Sequence, residues 1–206
     1  MAELLFNEER HQYTVNGVIL PSVTQIISAV GLYEFDFVDA ETLANAAERG
    51  RYVHMMIEYY EQGELDFDTI HPDLSGYFEA YLSMKEAGLI PQKADLIEWR
   101  GYSEKNGYAG TLDMMFGEDW IHDHKTGVKS PVHGLQLSGY WLIRHPNMAE
   151  KPKRLTCGYY GKDGSFELVD YPYEPLAWLS VVADYKWRLK NNCIKPRFLS
   201  EWQNAI

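Results

Sequence analysis

The feature that most constrains the fold is a short acidic hairpin in the middle of the chain. Its first strand carries Gly-Thr-Leu-Asp, ending at Asp113, and its second strand carries Asp123 and Lys125. If residues 117–119, Gly-Glu-Asp, form a three-residue loop, Asp113 lies directly opposite Asp123, with Cβ atoms roughly 5 Å apart. Lys125 points to the same side of its strand as Asp123. Two carboxylates this close repel each other, and a divalent cation with oxygen ligands would remove that repulsion.

The same spacing has a simpler interpretation, in which Lys125 is only a surface salt-bridge partner of Asp123. The apolar residues around the motif argue against it. The loop places Phe116 opposite Trp120, and strand alternation puts three apolar side chains on one face of the first strand: Leu112, Met114 and Phe116. The hairpin is therefore expected to be half buried, with its carboxylates gathered on the other side.

The composition indicates a packed protein of one domain. The chain has 206 residues, of which 46% are apolar and 14% aromatic, enough for a real core. No run of 18 apolar residues and no signal-peptide pattern occur, so we expect a cytoplasmic protein without a membrane span. The two cysteines, Cys157 and Cys193, form no C-x-x-C pair, which argues against a disulfide framework, a zinc knuckle or a four-cysteine iron–sulfur cluster.

The net charge of −11 argues only weakly against nucleic-acid binding. A metal-dependent nuclease needs carboxylates in its site and basic residues only along the path to it. The basic residues do cluster late in the chain, although either group is equally well explained as an ordinary solvated surface. They are Lys151, Lys153 and Arg154, and then Lys186, Arg188, Lys190, Lys195 and Arg197.

The order of the predicted elements indicates a mixed sheet flanked by helices, an α/β or α+β core. We predict a hairpin over 4–20 that turns at Asn16-Gly17, and a strand at 95–102 before the acidic hairpin. Further strands are predicted at 155–160 and 165–171. Helices are predicted at 21–30, 39–62, 72–87, from Ser130-Pro131 to 144, and at 175–191. The whole chain, 1–206, is expected to be one domain, with 1–38 as an N-terminal hairpin and helix and 39–206 as the core.

Several polar residues outside the hairpin could belong to the same site. His54 lies on the margin of an apolar helical stripe with Glu58 one turn later; it is either a structural histidine or a neutral imidazole ligand. Glu98 precedes the hairpin by one strand and is a candidate extra ligand. His122 and His124 alternate on one strand face, where Trp120 favours packing or hydrogen bonding over metal binding.

A polar stripe follows on the next helix. Gln136, Tyr140 and Arg144 are spaced at i, i+4 and i+8. They form either a solvent-facing helix edge or a ridge aimed at phosphates or bases, with the tyrosine ring available for stacking.

Taken together, these motifs resemble those of the PD-(D/E)XK nuclease superfamily, in its RecB/Cas4-like exonuclease branch. The matching segments occur in the expected order over about residues 10–145, and the last 60 residues match less clearly. The set is more specific than any single motif. The N-terminal segments His11-x-Tyr13-x-Val15-x-Gly17 and Pro21–Thr24 resemble phage exonucleases of this branch and the mitochondrial genome maintenance exonuclease. The other motifs are Arg49-Gly50 with Val53-His54, Tyr108–Asp113, Ile121–Gly127 and Gln136–Tyr140. Cas4 proper carries four cluster cysteines and is set aside.

The resemblance implies a restriction-endonuclease-like fold and a Mg²⁺ or Mn²⁺ site. By this likeness, His54, Asp113 and Asp123 would hold the metal, with the backbone carbonyl of His124, and Lys125 would position and activate the attacking water. Gln136 and Tyr140 would help to seat a DNA strand, with Arg51 and Arg144 as further DNA contacts. Glu58 and Glu98 would contact the metal-binding side chains and hold them in position.

The function implied is a metal-dependent DNA exonuclease that hydrolyses phosphodiester bonds from DNA ends. Phage or prophage origin, a role in DNA recombination or processing, and a single-strand annealing protein as partner follow only by analogy. A structure-specific endonuclease on the same fold, or a degenerate module that only binds DNA or protein, are the alternatives. The presence of Asp113, Asp123 and Lys125 together argues against a module that has lost catalysis, because binding alone needs no clustered carboxylates.

Overall fold

The computed structural model describes residues 3–33 and 38–194. The elements follow the predicted order. They are β1 (Leu4–Asn7), β2 (Gln12–Val15), β3 (Val18–Leu20), α1 (Val23–Ala29), α2 (Ala40–Gln62), a short 3-10 helix (Phe67–Thr69), α3 (Pro72–Glu86), β4 (Leu96–Ser103), β5 (Tyr108–Phe116), β6 (Trp120–Lys125), α4 (Val132–Arg144), β7 (Arg154–Tyr160), β8 (Phe166–Asp170) and α5 (Pro175–Lys190). Lys195 and Arg197 of the late basic group lie outside the described residues.

The central sheet has the strand order β4-β5-β6-β7-β8. The β6–β7 pair is parallel and the other pairs are antiparallel, since α4 crosses over between β6 and β7. Helices α2 and α3 cover one face of the sheet, and α1, α4 and α5 cover the other. This arrangement confirms the predicted mixed sheet flanked by helices. The strands β1–β3 form a separate antiparallel sheet.

Local signals explain why the elements begin and end where they do. The turn between β2 and β3 uses Asn16 and Gly17 with φ of 49° and 79°, as Asn-Gly predicts for a two-residue hairpin. Asp39 caps the start of α2, and Gly63 ends it in the left-handed region. Helix α4 begins one residue later than predicted, because Pro131 is its N-cap; Ser130 Oγ still accepts a hydrogen bond from the Val132 N–H.

The acidic hairpin has the predicted loop and register. Phe116 pairs with Trp120 and Met114 with His122, and Gly117 adopts a φ of 59°. The ladder ends at the Met114–His122 pair. Beyond that pair, the His124 N–H donates to the Asp113 carboxylate at 2.7 Å, so Asp113 contacts the neighbouring strand through its side chain.

The predicted apolar face of β5 was wrong. Leu112 packs in the core under α4 and α5, whereas Met114 and Phe116 pack under α2 and α3. The strand therefore switches faces at Asp113, where Glu98 of the neighbouring strand has a left-handed φ of 46°. The prediction that the carboxylates lie on the unburied side of the hairpin was also wrong. Asp113 and Asp123 are only 7% and 1% exposed, because helices cover both faces of the sheet.

Among residues 3–33 and 38–194, no helix combines the length and apolar character needed to cross a membrane.

Candidate metal centre

Three side chains from three elements converge on the point where β5 switches faces. His54 comes from α2, Glu98 from β4 and Asp113 from β5, and one ligand atom of each lies within 4.8 Å of the others. His54 Nδ1 is 3.3 Å from Asp113 Oδ2. A ring nitrogen and two carboxylate oxygens this close form a donor set that a divalent cation can use.

The backbone of His124 fixes two members of this cluster. Its N–H donates to Asp113 Oδ2, and its carbonyl accepts a hydrogen bond from His54 Nε2 at 2.9 Å. Metal-bound histidines typically donate their second ring N–H to such a carbonyl, which sets the tautomer and the ring direction. The His124 carbonyl thus orients His54 in this structure, and its role as a direct ligand stays a prediction.

Asp123 lies beside the cluster and is engaged by a cation of the chain itself. Lys125 Nζ forms an ion pair with Asp123 Oδ2, and both side chains are largely buried. Gln136 Nε2 lies 3.3 Å from Asp123 Oδ1 and donates to the Tyr140 hydroxyl at 3.0 Å. The sequence motif thus brings Asp123 and Lys125 together as predicted. For this oxygen of Asp123 to bind the same cation as Asp113, Lys125 would have to release it.

The electrostatics of the cluster reflect buried carboxylates that compete for few cations. Burial raises the pKa of Glu98 to about 8, with Asp113 adding repulsion. Burial and Asp113 raise the pKa of Asp123 to about 6 despite Lys125. Burial opposes charge on His54, but Asp113 outweighs it and raises its pKa to about 9. In turn, the His54 charge overcomes burial and holds the pKa of Asp113 well below its usual range. Three acids thus share two basic partners, which favours an added cation.

Gln136 and Tyr140 of the polar stripe on α4 face this cluster, whereas Arg144 is exposed. Gln136 is 4% exposed and Tyr140 6% exposed, so the Tyr140 ring is not open for base stacking in this structure. The Tyr140 ring packs against Gly110, so closely that a Cβ atom on Gly110 would lie only 2.8 Å from the ring atom Cε1. This contact explains why the Gly-Thr-Leu-Asp segment begins with glycine. Gln136 and Tyr140 as DNA contacts stay predictions.

Gly110→Ala tests this contact. The added methyl would displace the Tyr140 ring and, through its hydroxyl, Gln136. We expect a loss of about 1–3 kcal/mol in the free energy of unfolding, the usual scale for overpacking a core, measured by urea denaturation. Gly127→Ala is the matched control, because its Cβ meets nothing within 4 Å. Equal stability of both variants and the wild type would refute the tight Gly110–Tyr140 packing.

The remaining predicted site residues lie around the centre. Glu58 is half-buried one turn beyond His54 and adds negative potential at Glu98. Arg51 is exposed, 3.8 Å from Glu48, with its guanidinium over the Tyr52 ring. The Arg144 guanidinium lies over the Trp99 ring, 5.7 Å from its centroid. Their roles toward DNA stay predictions.

The two strand histidines are hydrogen-bonded inside the core, as the sequence favoured. His122 Nδ1 contacts Thr156 Oγ1 at 2.9 Å, and the Tyr160 hydroxyl lies 3.2 Å from His122 Nε2 and 3.0 Å from His124 Nδ1. Burial lowers the pKa of His122 to about 3, so it stays neutral. Thr156 and Tyr160 were not predicted to support the centre. Both lie on the first predicted strand after the motif, 155–160, but only the parallel β6–β7 register shows where they face.

A second buried network was also missed by the sequence analysis. Glu61, near the end of α2, forms an ion pair with Lys85 and accepts a hydrogen bond from the Tyr81 hydroxyl. The Tyr81 ring packs edge-on against His124, with centroids 5.5 Å apart. Glu61 is two helical turns after His54, and this spacing was the only available signal.

Comparison with known proteins gives a fold but no family. No family model and no curated protein matches the chain. A crystal structure from Eubacterium rectale, described as a "Putative exonuclease", superposes with a TM-score of 0.56 at 11% identity, covering 85% of this chain and 83% of that one. The chain therefore shares its fold with that protein.

Proposed function

We propose that the chain is a divalent-metal-dependent nuclease that hydrolyses phosphodiester bonds in DNA. The observation that carries the proposal is the convergence of His54, Glu98 and Asp113 beside the buried Lys125–Asp123 pair. A protein that only binds DNA gains nothing from carboxylates buried at its centre, since they repel phosphate unless a cation is present. The motifs and the fold shared with a protein described as an exonuclease support the same class.

The residues present suit Mg²⁺ or Mn²⁺. His54 would offer Nδ1, because its Nε2 already donates to the His124 carbonyl. Glu98 and Asp113 would offer carboxylate oxygens, and Asp123 would join them. Such an ion, when bound, neutralises charge on the phosphate and makes water a stronger nucleophile at neutral pH.

The side chains of the protein have separate tasks in this proposal. Asp113 is held in one orientation by the His124 N–H, and Gln136 holds one oxygen of Asp123. Lys125 keeps its proton, because Asp123 outweighs burial and raises its pKa above the usual range. Its ammonium would leave Asp123 and point at the attacking water or at the negative charge that develops on the phosphate.

We propose that the substrate is a DNA end and that the activity is that of an exonuclease. This part of the proposal rests on the motifs around His54 and Gln136 and on the description of the structural neighbour as an exonuclease. A phage origin, a recombination role and a single-strand annealing partner stay predictions by analogy.

The test is digestion of linear DNA labelled at the 5′ or 3′ end, single- and double-stranded, with covalently closed circles as the control. We expect progressive shortening of linear DNA with Mg²⁺ or Mn²⁺ and no reaction in EDTA. Rapid linearisation of closed circles at low enzyme would replace the exonuclease by the endonuclease alternative. Binding without hydrolysis of any of these substrates would favour the degenerate module.

A further inference from the structure

A pocket of about 300 Å³ lies at the outer edge of the central sheet, where β4 meets the end of α4. Trp99, Arg100 and Tyr102 of β4 and Arg144 of α4 belong to its lining, and we call it the β4 pocket. We propose that the β4 pocket binds an unpaired base and the adjoining phosphate of single-stranded DNA. This role rests on the proposed function and makes single-stranded DNA the form on which the centre acts.

The pocket and the metal centre lie at neighbouring positions on the sheet. β4 and β6 are both antiparallel to β5, so the residues after Glu98 and those after Asp123 extend toward the same end of the sheet. Gly101 of the pocket pairs with Gly110, which lies three residues before Asp113 and therefore about 10 Å from it along β5. This distance corresponds to roughly three nucleotide steps of a stacked strand. A strand bound at the centre would therefore reach the pocket.

Helix α4 connects the same two places. Gln136 contacts Asp123 in the centre, and Arg144, eight residues further along the same stripe, lines the pocket. Eight residues span about 12 Å of helix, which agrees with the separation along β5. The stripe of α4 thus leads from the centre to the pocket.

The charged groups of the lining are both guanidinium groups, in a chain whose net charge is −11. Arg144 is exposed, and none of the described residues forms an ion pair with it. Arg100 pairs with Glu8 at 3.5 Å, but the Glu8 side chain is 80% exposed and lies outside the lining, so this pair opens at little cost. Guanidinium groups bind phosphate oxygens with two parallel hydrogen bonds. The lining therefore favours an anionic ligand.

Trp99 gives the pocket a rigid aromatic wall. Its ring packs over Gly101, where an added Cβ would lie 2.7 Å from Ile143 Cγ2 and closer still to the tryptophan ring. The Arg144 guanidinium lies over the same ring, 5.7 Å from its centroid, and both groups can stack on a planar base. Such stacking requires a base that is out of the duplex. Tyr140 cannot supply it here, because its ring is only 6% exposed.

An acidic peptide is the competing occupant, because β4 is an edge strand with which an extended peptide could pair. Strand pairing would use the backbone of β4 and would leave the Trp99 ring unused, since that ring packs toward the core under α4. The aromatic wall beside a guanidinium and the short distance from the centre both favour DNA.

The test measures binding of a fluorescein-labelled oligothymidylate of about 12 nucleotides to the full chain by fluorescence anisotropy, with Ca²⁺ in place of Mg²⁺. We expect Trp99→Leu to weaken binding at least about tenfold, and Trp99→Phe, which keeps an aromatic ring, to stay within a few-fold of the wild type. Arg144→Gln should weaken binding and lower the dependence of log affinity on log salt by about 0.7, the value for one phosphate of a single strand. Trp187→Leu and Arg188→Gln, on the surface of α5, are the matched controls and should behave as the wild type.

A blunt duplex of the same length should bind without any effect of Trp99→Leu, and an equal loss with the duplex would rule out an unpaired base. Unchanged oligothymidylate affinity in both Trp99→Leu and Arg144→Gln would overturn the pocket, even if the wild type digests DNA with Mg²⁺. Polyglutamate that binds as tightly, with the same loss in Trp99→Leu, would assign the pocket to an acidic peptide. Binding that depends on Trp99 in a chain that digests no DNA would support the pocket and refute the nuclease.

Discussion

Asp113→Asn should reduce metal-dependent DNA hydrolysis by roughly three orders of magnitude and should abolish the rise in melting temperature that we expect Mn²⁺ to give the wild type. Asp113 is the residue that the other groups share: it faces His54 at 3.3 Å and accepts the His124 N–H. Asparagine keeps the size but loses the charge that a cation needs. The measurements are single-turnover digestion, calorimetric Mn²⁺ titration and thermal unfolding with and without Mn²⁺.

The same substitution should also destabilise the metal-free protein. In the wild type, the charges of Asp113 and His54 compensate each other, so removing the Asp113 charge leaves the partly buried His54 imidazolium without its partner. The matched control is Asp119→Asn, because Asp119 lies in the exposed loop of the same hairpin and should behave as wild type. Equal Mn²⁺ affinity in Asp113→Asn and the wild type would remove the metal centre from this position.

Lys125→Met is expected to separate catalysis from stability. Hydrolysis should fall by roughly two to four orders of magnitude, the scale for loss of a positioned acid–base or charge-stabilising group. Without metal, unfolding should become easier by about 3 kcal/mol or more, because Asp123 is left buried without its partner. Saturating Mn²⁺ should recover much of that stability, since a cation can replace the ammonium beside Asp123, whereas hydrolysis should stay low.

Lys129→Met is the control for this experiment. Lys129 pairs with Glu167 at the surface, with both side chains about half exposed, and such pairs contribute at most about 1 kcal/mol. Its removal should leave stability and hydrolysis nearly unchanged. A Lys125→Met variant that degrades DNA within a few-fold of the wild type would refute the nuclease proposal as a whole.

Local signals in the sequence were sufficient to predict the elements. Asp39 and Gly63 bound α2 because they satisfy helix-end groups within a few residues. The Gly-Glu-Asp loop set the register of β5 and β6 in the same way. Such signals act over short distances along the chain, and the residues involved can be recognised without knowledge of the tertiary structure.

The parts that could not be predicted depend on contacts between distant segments. The face switch at Asp113 lies beside Glu98 of the neighbouring strand, which has a left-handed φ, and nothing in the local sequence specifies it. Alternation along β5 therefore placed Leu112 on the wrong side. The sequence left open whether Gln136 lies on a solvent-facing helix edge or on a functional ridge, because its burial depends on α4 packing over the sheet.

The position of β6 also determines how the centre opens. It is the middle strand of five, and its residues Asp123, His124 and Lys125 pair with β7, just beyond the end of the β5 ladder. Hydrogen bonds of a central strand break only in the largest unfolding events, so their amide hydrogens exchange most slowly with solvent. The His124 backbone, which orients both His54 and Asp113, is therefore expected to stay in place for as long as the β6–β7 pairing holds.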